Sequence, residues 1–252
     1  MDQVSKCIAK SPHLSSLTLA RDYNLLPSLA TSLHNVMKDA NDLQGSPLNL
    51  TSLALTGFYI RLDAATLPHL QNLRSLTIAG FEDPENLSNR RRLDGSESDD
   101  ESLPVIDTSP YAASFPDLWR ALKMAGIELS HLNVHHMSNA LIEYIESYSG
   151  LQDLKIYVPD YFNDSKHAGN AGTGDADMFW DALGRNHGGT LHHLDVYSGY
   201  EGQFCFSRSR VPALKQCKHL ISLRVPVFTS RVFEDDSDLA PDHPGNVVSA
   251  NL

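Results

Sequence analysis

Hydrophobic residues recur along the chain in a short phrase, Leu-x-x-Leu-x-(Leu/Ile/Val), that appears seven times. Two copies are nearly the same, since residues 151–158 read LQDLKIYV and residues 191–198 read LHHLDVYS. Chance would give about one match in a chain this rich in leucine, so the phrase is a repeat. Its copies are Leu14-Leu17-Leu19, Leu50-Leu53-Leu55, Leu73-Leu76-Ile78, Leu129-Leu132-Val134, Leu151-Leu154-Ile156, Leu191-Leu194-Val196 and Leu220-Leu223-Val225.

Each copy of the phrase predicts a short β-strand, because its last apolar residues alternate with polar ones at a period of two. One face of each strand is then buried and the other is open. Between the copies, helical spacing of apolar residues predicts helices at 25–40, 115–126, 138–150, 175–184 and 210–217. Ser138 is a candidate helix cap, and Gly126 and Gly184 are expected to end their helices.

The spacing of the copies indicates the fold class. Successive central leucines are 36, 23, 56, 22, 40 and 29 residues apart. The shortest of these intervals lie in or near the range of roughly 20–29 residues of a leucine-rich repeat, and the longer ones fit repeats with insertions. We therefore predict an α/β leucine-rich-repeat solenoid of about seven irregular repeats over residues 1–230, with parallel strands on the concave face and helices on the convex face.

The formal net charge of −11 is concentrated in two segments. Residues 82–107 carry nine acids against three arginines, a net −6, and residues 231–242 carry five acids against one arginine, a net −4. We expect a disordered acidic insertion at 82–110, a flexible glycine-rich insertion at 160–175 and an acidic disordered tail at 231–252. The rest of the chain is almost neutral, which excludes a basic footprint for nucleic acid.

The acidic insertion contains two candidate phosphorylation sites. Ser96 and Ser98 each have an acidic residue three positions later, the acceptor pattern of an acidophilic kinase. Phosphorylation would add negative charge to a segment that is already negative. A solvated loop with no regulatory role explains the same composition and is the favoured interpretation.

The irregular repeats resemble those of fungal F-box/leucine-rich-repeat proteins over roughly residues 10–230. The resemblance implies substrate recognition for a ubiquitin ligase, with ubiquitin-ligase scaffold subunits as further partners. Two features depart from that family. The asparagine ladder that usually follows the strands is absent, and no F-box is found, since LLPSLATSLHNV shares only the Leu-Pro start of one.

The polar positions of the phrases are expected to lie on the open face of the sheet. They are small residues in the first three copies and charged, histidine or tyrosine residues in most of the others. Such side chains on a rigid sheet give contact area at small entropic cost, which favours a protein-binding surface over a plain solvated face whose charges pair with one another. The partner-binding candidates are His131, Asn133, His135, Asp153, Lys155, Tyr157, His193, Asp195, Tyr197 and Arg224.

Sequence motifs do not favour catalysis, a metal site or a cofactor. The chain has no G-x-S-x-G elbow, no H-E-x-x-H pair and no glycine-rich phosphate loop ending in lysine. His131 and His193 occupy matching positions, but the copy that contains Leu154 separates them, so we expect structural or surface histidines. A hydrolase-type enzyme with a histidine-containing site and a structural fragment of a longer protein remain the alternatives.

The remaining features limit location and partners. The chain has no apolar run of the kind that a signal peptide or a membrane span needs. Three cysteines without a C-x-x-C pair do not predict a disulfide scaffold. We expect an intracellular protein, cytoplasmic or nuclear, that binds neither membrane nor nucleic acid and acts as a non-catalytic protein–protein interaction module.

Overall fold

The computed structural model shows an α/β fold in which strands and helices share one hydrophobic core. The structure describes residues 7–8, 10–11, 13–20, 37, 46–56, 62–64, 66–79, 114–135, 137–158, 173–198, 203–227 and 247–251. Among these residues, no helix combines the length and the apolar character needed to cross a membrane.

Every predicted copy of the phrase forms a strand. The strands lie side by side in the order of the chain, and the first seven are parallel. This confirms the predicted α/β class with a parallel sheet. The strands are β1 (Ser16–Ala20), β2 (Ser52–Thr56), β3 (Ser75–Ala79), β4 (His131–Val134), β5 (Asp153–Val158), β6 (His193–Ser198) and β7 (Ser222–Pro226).

The central leucines of the copies form one row across the sheet. Each is in register with the central leucine of the next strand, and all except the last are buried. Equivalent positions of neighbouring copies therefore stand side by side, so the polar positions also form rows on the opposite face. The leucine row consists of Leu17, Leu53, Leu76, Leu132, Leu154, Leu194 and Leu223.

The helices cover the leucine side of the sheet, because their buried side chains belong to the same core cluster as the strand leucines. Trp119, Tyr144 and Trp180 are the largest of these and are almost fully buried. The helices are α1 (Ser114–Met124), α2 (Asn139–Glu146), α3 (Thr173–Ala182) and α4 (Val211–Gln216). Of the helix predicted at 25–40, only the buried Met37 is among the described residues.

Two of the three predicted helix ends are confirmed. The Ser138 side chain accepts a hydrogen bond from the Leu141 N–H at 3.2 Å, and Gly126 follows α1 with a φ of +63°. The prediction for Gly184 is wrong, because the helix continues from α3 into a π-helical turn, Leu183–His187. A Cβ at Gly184 would lie 3.0 Å from the Ala213 Cα, so this glycine permits the close approach of α4.

The end of the chain also differs from the sequence prediction. Val247–Asn251, within the tail predicted to be disordered, forms β8 and pairs antiparallel with β7. Its sequence, VVSAN, begins with two β-branched residues, and the strand covers a sheet edge that would otherwise be unpaired. Residues 173–175 of the predicted glycine-rich insertion belong to α3. The acidic insertion at 82–110, with Ser96 and Ser98, lies outside the described residues.

Candidate functional site

The open face of strands β3 to β7 forms a groove of about 460 Å³. The sequence-predicted site residues all lie on this face, where they alternate along their strands with buried apolar residues. Most of them line the groove, while His135, Tyr157 and Tyr197 continue the face toward the carboxyl ends of the strands. Ser75, Thr77 and Ser222 also line the groove, although sequence analysis did not select these small residues.

The first row of side chains, called the histidine row, consists of His131, Asp153 and His193. Register pairing across β4, β5 and β6 places the aspartate between the two histidines. Its Oδ2 lies 2.8 Å from the His131 Nε2, and its Oδ1 lies 3.7 Å from the His193 Nε2. The copy that separates the two histidines in the sequence therefore supplies the carboxylate that links them.

The second row, called the ion-pair row, consists of Asn133, Lys155, Asp195 and Arg224. The Asp195 Oδ2 lies 3.9 Å from the Lys155 Nζ and 3.6 Å from the Arg224 Nη1. The Oδ1 atoms of Asp195 and Asn133 are buried and accept no hydrogen bond from any described residue. These two oxygens are therefore buried acceptors whose hydrogen-bonding capacity the described residues leave unused.

The third row, called the aromatic row, consists of His135, Tyr157 and Tyr197. The two tyrosine rings are stacked, with centroids 5.2 Å apart and planes at 18°, as their matching positions in adjacent strands predict. The His135 ring lies on the other side of Tyr157, at 6.0 Å between centroids. Burial and, second, the positive charge of Lys155 lower the pKa of His135, which favours a neutral ring.

Ser130, His131 and Asp153 form a hydroxyl–imidazole–carboxylate chain that sequence analysis missed. The Ser130 Oγ lies 2.8 Å from the His131 Nδ1, and the opposite ring nitrogen contacts Asp153. The only sequence signal is that Ser130 directly precedes a histidine of the open face. The connectivity resembles that of a catalytic triad, so its surroundings decide whether it can act on a substrate.

The backbone around Ser130 is poorly suited to acyl transfer. The N–H groups of Ser130 and His131 both donate to the Arg74 carbonyl oxygen, at 2.8 and 2.9 Å. Neither N–H can then stabilise the oxyanion of a tetrahedral intermediate. The Ser130 hydroxyl also lies 3.2 Å from the same carbonyl and donates to it, which competes with donation to His131.

Neither a metal-binding cluster among the described residues nor a similar protein indicates what the open face binds. In the part of the chain that the structure describes, no group of three or more His, Cys, Asp or Glu side chains is arranged to hold a metal ion. Comparisons of the chain with models of protein families, with curated proteins and with solved structures find no match. Function therefore has to be inferred from the chemistry of the open face.

Proposed function

We propose that the chain is a leucine-rich-repeat solenoid and a non-catalytic protein–protein interaction module, with the open sheet face as its binding surface. The observation that carries the proposal is the set of three ordered rows of polar and aromatic side chains on an exposed face. These rows stand directly on strands whose other face is buried in the core.

Support for the solenoid comes from the way in which neighbouring units pack. Each strand pairs with the strands that precede and follow it in the sequence, with central leucines in register. The helices follow the same order, since α1 packs on α2, α2 on α3 and α3 on α4. Contacts restricted to sequence neighbours are the defining property of a repeat array. In such an array the strands line the concave face.

Support for binding comes from the composition of the open face. Tyrosine and arginine are enriched at the energetically important positions of protein interfaces, and here they project from a hydrogen-bonded sheet. Tyr197 keeps 45% of its surface exposed although its ring is stacked. The resemblance of the repeats to F-box/leucine-rich-repeat proteins adds a more specific role, recruitment of a substrate, and of ligase scaffold subunits, for ubiquitin transfer. That role rests on the resemblance alone.

The test is affinity capture followed by binding of the purified partner. The face variant is Tyr157→Ala/Tyr197→Ala/Arg224→Ala. Its matched control, Met124→Ala/Met178→Ala/Lys215→Ala, removes two exposed apolar side chains and one exposed cation from the helices. We expect the partner to bind wild type and control equally and to bind the face variant at least about tenfold more weakly. Circular dichroism verifies that all three proteins are folded.

The proposal fails if the purified partner binds the face variant as tightly as it binds the wild type. It also fails if the control variant loses as much affinity as the face variant, because the binding surface would then lie on the helices. Capture of a protein from a lysate supports nothing until the purified partner has passed this comparison.

A hydrolase is the second candidate, because Ser130, His131 and Asp153 are connected as in a nucleophile, a general base and an orienting acid. It is less favoured, since the nearby backbone N–H groups are already used in the sheet. Hydrolysis of a nitrophenyl ester by wild type and Ser130→Ala distinguishes the two candidates. Turnover that disappears in the variant would favour the enzyme; equal background rates would dismiss it.

A further inference from the structure

The first strand, β1, forms one edge of the sheet, and among the described residues it pairs only with β2. Strands at an unpaired edge are usually protected from other chains by charged side chains, by proline or by a bulge. The sequence of β1, SLTLA, contains no charged residue and no proline, and its pairing with β2 is continuous. The edge of β1 therefore lacks the features that prevent pairing with a strand of another chain.

Apolar side chains at this end of the core are less well covered than their equivalents in the next copy of the phrase. Leu14 and Leu19 are half-buried, whereas Leu50 and Leu55 are fully buried. A further strand beside β1 would complete the burial of its leucines. The hydrophobic effect thus favours occupation of this edge.

The hydrogen bonds between β1 and β2 show which backbone groups the edge offers. The Ser15 carbonyl oxygen accepts from the Ser52 N–H at 3.0 Å, so this carbonyl points toward β2. Successive residues of a strand direct their N–H and C=O groups to opposite sides. The N–H and C=O groups of Ser16, Thr18 and Ala20 therefore point away from β2, toward the position of a further strand.

The sequence of β1 is self-complementary about Thr18. In an antiparallel pair of two copies of β1 centred there, Thr18 lies opposite Thr18 of the second copy, and Ser16 lies opposite Ala20. These are the residues whose N–H and C=O groups point outward, so each of these groups gains a partner. The same register places Leu17 opposite Leu19 on the core side and covers the half-buried leucine. A register shifted by one residue loses both matches.

We infer that β1 pairs with β1 of a second copy of this chain, in a two-fold symmetric dimer. A second copy is the favoured occupant because one strand supplies both halves of the match, as an isologous interface requires. No charged residue of β1 faces its own equivalent, since the strand has none. Because paired residues share a face, both open faces lie on the same side of one continuous sheet, and the dimer presents the proposed binding surface twice.

Sedimentation equilibrium of the full chain tests the inference without any substitution. The paired edges of two five-residue strands bury less than the roughly 1,200 Å² of a standard interface, so we expect dimer and monomer to exchange. The average mass should rise from one chain toward two between about 1 and 500 µM protein, with a dissociation constant of about 10–100 µM. A mass of one chain at every concentration would overturn the inference.

A pair of variants locates the interface. Thr18→Lys places two ammonium groups opposite each other, and its control, Thr56→Lys, adds the same charge to β2, one strand away from the edge. Thr18→Lys should weaken dimerisation at least about tenfold and the control less than about twofold. Circular dichroism verifies that both variants are folded. Equal effects of the two variants would overturn the inference, because dimerisation would then depend on charge alone and not on the edge.

Engineered cysteines report the register. The background is Cys7→Ser, because Cys7 is exposed while Cys205 and Cys217 are buried. Thr18→Cys should form an intermolecular disulfide under mild oxidation, since its equivalent lies opposite at about 5.5 Å between Cα atoms. Ser16→Cys should not, because its equivalent lies about 13 Å away along the paired strand. Disulfide formation by Ser16→Cys that is as fast as that by Thr18→Cys would overturn the inference.

Discussion

The two faces of the sheet are built from neighbouring residues but differ in how much they repeat. On the buried face, Leu154 and Leu194 stand side by side, and the same residue occupies that position in every strand from β1 to β7. On the open face the paired residues of the groove differ, as Asp153 beside His193 and Lys155 beside Asp195 illustrate, although Tyr157 is beside Tyr197. Repetition therefore specifies the backbone, and variation on the opposite side of the same strands supplies the chemistry.

The energies of the two faces differ as well. Full burial of a leucine side chain contributes about 1.5–3 kcal/mol to the stability of the fold, and each buried leucine of the leucine row makes such a contribution. An exposed ion pair such as Lys155–Asp195 contributes about 0–1 kcal/mol. Stability thus depends on one face of the sheet, which leaves the residues of the other face open to substitution without loss of the fold.

Substitutions in β5 test whether stability depends on the buried face alone, because Leu154 and Lys155 are adjacent and point to opposite faces. Leu154→Ala should lower the free energy of unfolding by about 3 kcal/mol, because it removes a buried side chain and leaves a cavity. Lys155→Ala should change it by less than about 1 kcal/mol, because it removes only an exposed ion pair. Urea denaturation measures both, and similar losses would contradict this dependence.

Much of the fold could be predicted from the sequence, because the information was local. Each phrase contains its own period-two pattern, and identical phrases in adjacent strands have only one register that buries all the leucines. The cap at Ser138 was also local. The π-helical turn and β8 could not be predicted in this way, because they depend on a distant neighbour: α4 for Gly184 and the edge of β7 for Val247–Asn251.

For the candidate site, the sequence predicted the face on which side chains lie but not the contacts between them. Matching positions in the phrase correctly predicted that Tyr157 lies beside Tyr197 and that all candidates share one face. The sequence did not reveal that Asp153 contacts both histidines or that Ser130 reaches the His131 ring, since these contacts depend on side-chain rotamers. It also gave no indication that His187, which lies outside the phrases, is buried.

The second prediction concerns close backbone contacts on the buried side. A Cβ at Gly188 would lie 2.4 Å from the Gly184 carbonyl oxygen and 2.6 Å from that of Gln216, whereas a Cβ at Gly189 meets nothing within 4 Å. Gly188→Ala should therefore destabilise the protein by about 2 kcal/mol, because backbone has to move. Gly189→Ala should stay within about 0.5 kcal/mol. Equal melting temperatures would show that the helix side tolerates the added methyl group and is less tightly packed than the glycine contacts indicate.

The hydrogen bonds of the buried His187 should make the stability of the fold depend on pH. The His187 Nδ1 accepts from the Leu151 N–H at 3.2 Å, and its Nε2–H donates to the Ile145 carbonyl oxygen at 2.9 Å. Burial lowers the pKa of His187, although the bond to Ile145 opposes this shift. The unfolded chain then binds a proton more readily, so the stabilisation is present above about pH 6.5 and is lost as the pH falls through the lower folded-state pKa.

His187→Gln should therefore cost about 1–2 kcal/mol at pH 7.5, and its difference from wild type should shrink toward pH 5. His219→Gln, at an exposed position, serves as the control and should match wild type throughout. Urea denaturation at a series of pH values gives the comparison. A difference from wild type that is constant with pH would mean that protonation of His187 does not limit the acid stability of the fold.

Coupling energies between side chains should distinguish the aromatic row of the open face from the ion-pair row. A double-mutant cycle of Tyr157→Ala and Tyr197→Ala should give a coupling energy of about 0.5–1 kcal/mol, because the rings are stacked at 5.2 Å. A cycle of Lys155→Ala and Asp195→Ala should give less than about 0.5 kcal/mol, since the pair is 3.9 Å apart and exposed. The first coupling should persist at high salt and the second should vanish.

The comparison of the two coupling energies shows whether side chains of the open face hold a fixed arrangement before a partner binds. A salt-independent coupling between the tyrosines means that a partner meets an aromatic surface that is already ordered, with little entropy left to lose on binding. A coupling near zero would mean that the tyrosines move independently. The open face would then be organised only by its charges, and binding would weaken with salt at every position.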